Sequence, residues 1–457
     1  MRAHVTTYPL LFILLAFTAG KAIANVKLNI SLNEPEWQFV LGNPLQGKNE
    51  AQLEPAERNF ALSIKPLLDE QQYSTILEKF STRNIEEDSP ALQVLRGQIL
   101  LAVKQYENAA NAFEMALQTM PQLANAHRGL SMAHMLEKNY AAARKHLVRS
   151  IELGYADAQV YGQLAFINLQ KYAAASAIAG YQQAMFLEPE NGQWQQGLLY
   201  AYLQGDALSQ AKSLVEQQLQ DDNQNKELWL IRSQIALQQN KWEEALSSLE
   251  VALRLGESAA ENRLTAAQLH LQNGSVPRGV ALLTQNISQL NAKNRDAILP
   301  SIETTMSWLA EERQWALLES LIKACNKKKQ QIPSRYQARF NTYQAQLALH
   351  KGNIQQAQSL LKNTIQLEPS MGDALMALAK VYHQQKQYAQ ANNYYIRAEA
   401  LDDFQETALL ARAQLEIDRQ EYQEALQLLR KVMQINPARH DVASNIRTLE
   451  NVVRQES

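Results

Sequence analysis

The chain has 457 residues, a formal net charge of −2 and a pI near 6.5. This balance provides no bulk attraction to nucleic acid or to anionic lipid, so neither is predicted as a partner. A single globular core rarely extends over such a length. A hydrophobic content of 46% with only 16 Gly and 13 Pro indicates a folded, helix-rich chain.

Residues 1–24 are predicted to be a cleaved signal peptide. A basic start precedes an apolar run, Leu10 to Phe17, that is too short to span a bilayer. Ala22 and Ala24 are the small residues that a signal peptidase reads, so we predict cleavage before Asn25. The alternative is an uncleaved N-terminal anchor. Beyond Asn25 no apolar stretch has the roughly 20 residues of a spanning helix, so cleavage would leave no stable transmembrane anchor.

Cys325 is the only cysteine, which rules out an intramolecular disulfide. Secreted animal proteins of this size usually contain several disulfides, whereas a helical array in a bacterial periplasm needs none. We therefore predict export to the periplasm of a Gram-negative bacterium. Cys325 falls where a small packing residue is expected, so burial rather than thiol reactivity is predicted for it.

A regular spacing of alanines dominates the rest of the chain. Five alanines recur every 34 residues, and three more resume the same period near the C-terminus; they are Ala109, Ala143, Ala177, Ala211, Ala245, Ala357, Ala391 and Ala425. Aromatic residues and prolines keep register with them, as Tyr106, Phe113 and Pro121 do in the first unit. Such a period predicts stacked helix pairs, in which small residues allow close approach and proline ends the second helix.

This pattern resembles the tetratricopeptide repeat family over roughly residues 90–437, and an exported bacterial member of it. The resemblance implies an all-α solenoid of about ten helix-turn-helix units that form a right-handed superhelix with two lobes. Between Ala245 and Ala357 the register slips by ten residues, which predicts two degenerate units, around Val280 and around Leu318.

The organisation follows from these signals. We predict a signal peptide at 1–24, an extended leader at 25–54, an N-terminal lobe at 55–257, degenerate repeats and a joint at 258–337, a C-terminal lobe at 338–437, and a capping helix and tail at 438–457. The leader is predicted from the apolar alternation between Val26 and Leu32 and the Gly/Asn/Pro stretch after it; one β-strand is the alternative.

No catalytic motif was found, and no enzyme, cofactor or metal is predicted. The chain has no glycine-rich phosphate loop, no nucleophile elbow and no His-Glu-x-x-His zinc motif. His127 and His134 are two helical turns apart, but they occupy positions where aromatic residues normally pack, so packing is preferred to metal binding. Trp194 is likewise predicted to pack between repeats.

The partner-binding residues are predicted from the family resemblance. Such arrays line a groove with the second, fifth, sixth and ninth positions of each first helix. Here those positions hold Asn125, Arg128, Met132, Gln159, Gln163, Phe166, Gln193, Gln196, Tyr200 and Gln234. Amides at this spacing can pair with an extended peptide backbone, and the aromatic and Met side chains add apolar contact. A clamp for a C-terminal carboxylate is not favoured, because only Asn125 and Arg128 suit one.

The predicted function is a periplasmic scaffold that binds envelope proteins or peptide segments in this groove. Resemblance to exported arrays favours an accessory role in TonB-type outer-membrane uptake among the envelope assembly and transport machines. The alternative is a module that binds glycan or cell wall in polysaccharide export or peptidoglycan synthesis.

Overall fold

The computed structural model describes Leu28, Ile30, Trp37 and residues 51–456. The predicted signal peptide and most of the predicted leader lie outside the described residues. Those residues fall into two compact units, the first being Ile30–Lys241 and the second running from Trp242 onward together with Leu28. No residue described is assigned to a strand, so the all-α prediction is confirmed for this part of the chain.

The first unit contains five helix pairs and one further helix. Its helices are α1 Arg58–Asp69, α2 Tyr73–Ser81, α3 Pro90–Ala102, α4 Tyr106–Thr119, α5 Ala124–Leu136, α6 Tyr140–Glu152, α7 Ala158–Lys171, α8 Ala174–Leu187, α9 Gly192–Gln204, α10 Leu208–Asp221 and α11 Lys226–Gln238. Short 3₁₀ helices, Pro55–Glu57 and Ile85–Glu87, flank the first pair. Each helix packs on its neighbours in sequence, as expected for a repeat array.

The second unit contains one helix, five helix pairs and a last helix. These are α12 Trp242–Arg254, α13 Ala260–Gln272, α14 Val276–Ser288, α15 Arg295–Glu311, α16 Trp315–Lys327, α17 Ser334–His350, α18 Ile354–Leu367, α19 Gly372–Gln384, α20 Tyr388–Glu399, α21 Gln405–Asp418, α22 Tyr422–Ile435 and α23 His440–Glu456. Two 3₁₀ helices, Lys329–Gln331 and Asp402–Phe404, precede α17 and α21. None of the helices in the described chain is long and apolar enough to cross a bilayer.

The periodic alanines are fully buried in both units. All eight have no accessible surface, and each stands fourth in its helix. In the irregular stretch this place is taken by Gly279 and then Leu318, 34 residues after Ala245 and 39 residues after Gly279. The longer spacing coincides with first helices of 17 residues, α15 and α17, where most first helices have 13. The joint predicted for residues 258–337 stays a prediction.

The turn inside most pairs needs one left-handed residue. Positive φ angles recur at matching places, at Gln71, Lys104, Lys138, Asp206, Asn240, Gly274, Arg313, Gly352, Lys386 and Gln420. Only two of these residues are glycine, so eight side chains accept a conformation that costs L residues about 1 kcal/mol. The geometry of the stacked pair therefore overrides local preference at these turns.

Buried rings of second helices lie against glycines of first helices. The Phe113 ring on α4 lies so close to Gly97 and Gly129 that a Cβ on Gly129 would come within 2.3 Å of it. Tyr181 on α8 makes the same contact with Gly197 on α9, where a Cβ would lie 2.3 Å away. Both rings are almost completely buried. These contacts fix how one pair sits on the next.

The variant Gly197→Ala is predicted to destabilise the first unit. The added methyl meets the buried Tyr181 ring, which has no free volume to move into, so the free energy of unfolding should fall by about 1–3 kcal/mol. Gly192→Ala on the same helix is the matched control, because no atom lies within 4 Å of its added methyl. Urea unfolding followed by circular dichroism measures both; equal midpoints would contradict the packing argument.

Candidate functional site

The predicted groove residues lie on four successive first helices of the first unit. They are Asn125, Arg128 and Met132 on α5, Gln159, Gln163 and Phe166 on α7, Gln193, Gln196 and Tyr200 on α9, and Gln234 on α11. Steps of three or four residues put each helix's set on one face. We call these ten residues the groove face. None is exposed in the structure, since Met132, Gln163, Phe166 and Gln234 are buried and the others are half-buried.

Five groove-face residues meet around one depression. Asn125, Arg128 and Met132 on α5 and Gln159 and Gln163 on α7 line it. Gln98 on α3 and Gly129 complete the lining, and the depression is open to solvent. The structure thus brings together half of the predicted residues in one place.

Arg128 joins α5 to the start of α7. Its Nη2 donates to Gln159 Oε1 at 3.2 Å and lies 3.1 Å from Asp157 Oδ2. The other oxygen of Asp157 accepts from the backbone N–H of Val160 at 2.8 Å and so caps α7. The guanidinium also lies 5.3 Å from the centre of the Tyr155 ring. Because Asp157 balances the Arg128 charge, this end of the groove face suits an uncharged segment better than a carboxylate.

Met132 and Gln163 contact each other at the floor of the depression. Gln163 Nε2 lies 3.3 Å from Met132 Sδ, and both residues are 3% exposed. They therefore connect α5 to α7, and their side chains offer a partner little surface. The open edge of the depression belongs to the half-buried amides of Gln98, Asn125 and Gln159.

Phe166 is part of an aromatic cluster. Its ring packs edge-on against Tyr140, with centroids 5.8 Å apart, and against Trp37, with centroids 5.5 Å apart. Trp37 also stacks on Trp194 at 6.3 Å. The predicted packing role of Trp194 agrees with its 3% exposure, and its indole N–H donates to Glu188 Oε2 at 2.9 Å.

The groove-face residues on α9 are polar, and two of them hydrogen-bond to each other. Gln196 Nε2 donates to the Tyr200 hydroxyl at 2.9 Å, and burial raises the pKa of that hydroxyl. Gln193 Nε2 is buried and has no hydrogen-bond partner within the described part of the chain. An amide donor in this state favours a neighbouring carbonyl, which a bound backbone supplies.

Three contributors were missed by sequence reasoning. Gln98 occupies the ninth position of the preceding unit, so the repeat register alone would have found it. Trp37 and Ile30 belong to the predicted leader and have no register in the repeats. The apolar alternation around Ile30 is the available signal, but it predicts only extended chain or one β-strand and no contact with the repeats.

His127 packs in the structure, as the sequence favoured. Its Nε2 lies 3.1 Å from the Pro121 carbonyl and its Nδ1 lies 2.9 Å from His146 Nδ1. Donation from Nε2 to the carbonyl makes Nδ1 an acceptor, so His146 donates its Nδ1–H. His134 stacks on His146 with centroids 5.9 Å apart. In the part of the chain that the structure describes, no group of three His, Cys, Asp or Glu side chains is arranged to hold a metal.

Cys325 is buried, as predicted, with 3% exposure in α16. Burial raises the pKa of its thiol to about 12, so little thiolate forms at neutral pH. The groove face itself offers amides, apolar groups and one balanced cation. This arrangement suits binding of a polypeptide segment by hydrogen bonds and apolar contact.

Stacked helix pairs with a side-chain face running across first helices define a helical-repeat protein. Family models described as tetratricopeptide repeat match residues 88–157 and 230–285, and a second such model matches residues 348–415. The chain is therefore a tetratricopeptide-repeat protein, as the sequence predicted. Repeats of this family are typically scaffolds for protein–protein interaction rather than enzymes.

Solved structures with similar chains include other repeat proteins. One is Naa15/Naa10 bound to HypK-THB, with 15% identity, 82% of this chain and 68% of that chain covered and a TM-score of 0.37. Another is YrrB, described as a tetratricopeptide-repeat protein with an unusual peptide-binding site. It is 15% identical, the match covers 42% of this chain and 95% of that chain, and the TM-score is 0.37. A third is pilF of Pseudomonas aeruginosa. It is 18% identical, the match covers 43% of this chain and 89% of that chain, and the TM-score is 0.33. No curated protein matches the sequence.

Acid is predicted to destabilise the fold through His146. Burial, followed by the nearby His127, His134 and Lys145, lowers the pKa of His146 to about 4. Burial also lowers the pKa of His127, with Arg149 and Lys145 adding to the effect. The unfolded chain, with a histidine pKa near 6.5, then binds more protons than the folded chain between about pH 6.5 and pH 4. The free energy of unfolding should therefore decrease as pH falls through this window.

The test of this acid effect compares pH profiles of unfolding for three proteins. His146→Gln removes the shifted group and should flatten the profile between pH 6.5 and pH 4 relative to the parent chain. His440→Gln is the control, since it removes an exposed histidine outside the His127–His146 contact. A parent-like slope in His146→Gln would show that the effect lies elsewhere.

Proposed function

We propose that this chain is a scaffold that binds an extended segment of a partner protein on the groove face of its first unit. The observation that carries this proposal is the depression shared by α3, α5 and α7. Three half-buried amides, those of Gln98, Asn125 and Gln159, stand at its edge, and the buried Met132 and Gln163 side chains form its floor. Amides of this kind pair with both N–H and C=O groups of a peptide.

The charge of the site favours a segment with no terminal carboxylate at this position. Arg128 is held by Asp157 and by Gln159, so an incoming anion would have to displace an existing ion pair. An uncharged stretch of backbone leaves that pair intact.

The proposed setting is the periplasm of a Gram-negative bacterium, with the partner in an envelope assembly or transport machine. Support comes from residues 1–24, whose basic start, apolar run and Ala22/Ala24 pair are typical of a signal peptide. A TonB-type uptake accessory is favoured among such machines by resemblance alone. The glycan alternative has less support, because Phe166 presents its ring to Trp37 and Tyr140 rather than as an open platform.

The variant Asn125→Arg is predicted to abolish partner capture. A long cation placed in the depression fills its space and repels Arg128, so the amount of partner recovered should fall by at least about tenfold. Asn111→Arg on the exposed surface of α4 is the matched control, with the same charge change. Pull-down from envelope extracts with quantitative mass spectrometry compares them. Equal recovery by the two variants would overturn the groove assignment, and retention on polysaccharide alone would favour glycan binding.

Export is predicted to require residues 1–24. Fused to a reporter phosphatase that is active only outside the cytoplasm, the full chain should give activity, and a chain starting at Asn25 should give almost none. Mass spectrometry of the exported protein should find Asn25 as the first residue. Equal phosphatase activity with and without residues 1–24 would reject the signal, and an intact Met1 on the exported form would indicate the uncleaved anchor.

A further inference from the structure

The groove face of the first unit already carries residues of the chain's own N-terminal segment. Trp37 contacts Phe166 and Trp194, as described above. Ile30 packs on the cluster around Leu199, Ile231 and Ile235, together with Tyr200. Phe166, which is 7% exposed, is buried with Trp37 in contact with its ring.

The contacts follow an order along the repeats. Ile30 packs on the cluster of α9, α10 and α11. Trp37 contacts rings on α7 and α9 and also packs on the cluster of α3, α4 and α5, on which Ala51 packs as well. As residue number rises among these three, the repeat that they touch comes earlier in the chain. The contacts of Ile30, Trp37 and Ala51 therefore run opposite to the order of the repeats. A peptide bound antiparallel to the array would make contacts in this order.

The walls around Trp37 belong to helices of the repeat array. Trp194 lies flat on α7 because residue 162 is glycine; a Cβ there would be 2.2 Å from the indole. Gly162 stands one helical turn before Phe166 on α7, and Tyr140 packs edge-on against the Phe166 ring. Glu188 fixes the Trp194 indole by its hydrogen bond. Trp37 is only half-buried, as expected for a side chain that occupies a site on the surface of the array. Phe166 and Trp194 are buried residues of α7 and α9.

We propose that Phe166, Trp194 and Tyr140 form an indole-binding subsite of the groove, that Trp37 is its resident occupant, and that the groove accepts extended partner segments carrying a tryptophan. An aliphatic side chain seven residues before the tryptophan, as Ile30 precedes Trp37, occupies the neighbouring cluster at α9 and α11. This inference rests on the proposed function and adds the chemistry of the partner. Edge-on and stacked aromatic contacts give the subsite a preference for a large flat ring.

The experiment uses the full chain and a labelled synthetic peptide of residues 30–44, ISLNEPEWQFVLGNP. In the parent chain Trp37 occupies the subsite, so little of the peptide should bind. Trp37→Ala vacates the subsite, and fluorescence anisotropy should then show binding at least about tenfold tighter than to the parent. A peptide with alanine in place of its tryptophan should lose this gain. Trp37→Phe, which keeps a ring in place, should resemble the parent chain.

The matched control is Tyr172→Ala, which removes a 59% exposed aromatic side chain of the same unit and should not create peptide binding. Circular dichroism reports the fold of each variant. A folded Trp37→Ala chain that binds no peptide would overturn the proposal, and so would loss of helix content in Trp37→Ala, since Trp37 would then be a core residue. Capture of partners by the parent and Asn125→Arg chains is a separate readout, so failure of the proposed function and failure of the subsite are distinguishable.

Discussion

The packing of large rings against glycine is the interaction on which the rest of the array depends. Phe113 and Tyr181 each project from a second helix onto the first helix of the next pair, and only a residue without Cβ leaves room for them. The buried alanines bring the two helices of a pair together, and the rings then fix the next pair on top. Because protein interiors are close-packed, one added methyl at such a place displaces the ring and weakens the packing of the whole contact.

Packing of a ring against a glycine also shapes the groove face. At Gly162 the ring that approaches is Trp194, which comes from the following first helix rather than from a second helix. The Trp194 ring that packs at Gly162 is therefore also one wall of the subsite beside Phe166. Core packing and recognition are therefore continuous at α7 and α9, and the groove face is formed by residues that the fold already holds in place.

Much of the fold and part of the site could be predicted from the sequence. The spacing that runs from Ala109 to Ala245 locates the helix pairs, because burial of one small residue per pair must recur with the repeat. The register also predicted the residues of the depression, such as Asn125 and Gln159, since one helix face is set by steps of three and four. Trp37 could not be predicted in the same way. It stands outside the period, and its place depends on tertiary contact with Phe166 and Trp194, which no local pattern encodes.

An internal occupant sets a requirement for any partner. A tethered side chain competes at an effective concentration of the order of 1 mM, so a partner at about 1 µM must bind roughly a thousandfold more tightly than the tethered residues do. That ratio corresponds to about 4 kcal/mol of additional binding energy. The subsite alone cannot supply it, because the partner's tryptophan only replaces Trp37. The additional contacts must come from other residues of the same unit, such as the polar lining of the depression, Gln98, Asn125 and Gln159. Affinity and selectivity are thus divided between an aromatic anchor and a polar depression that both include residues of α7.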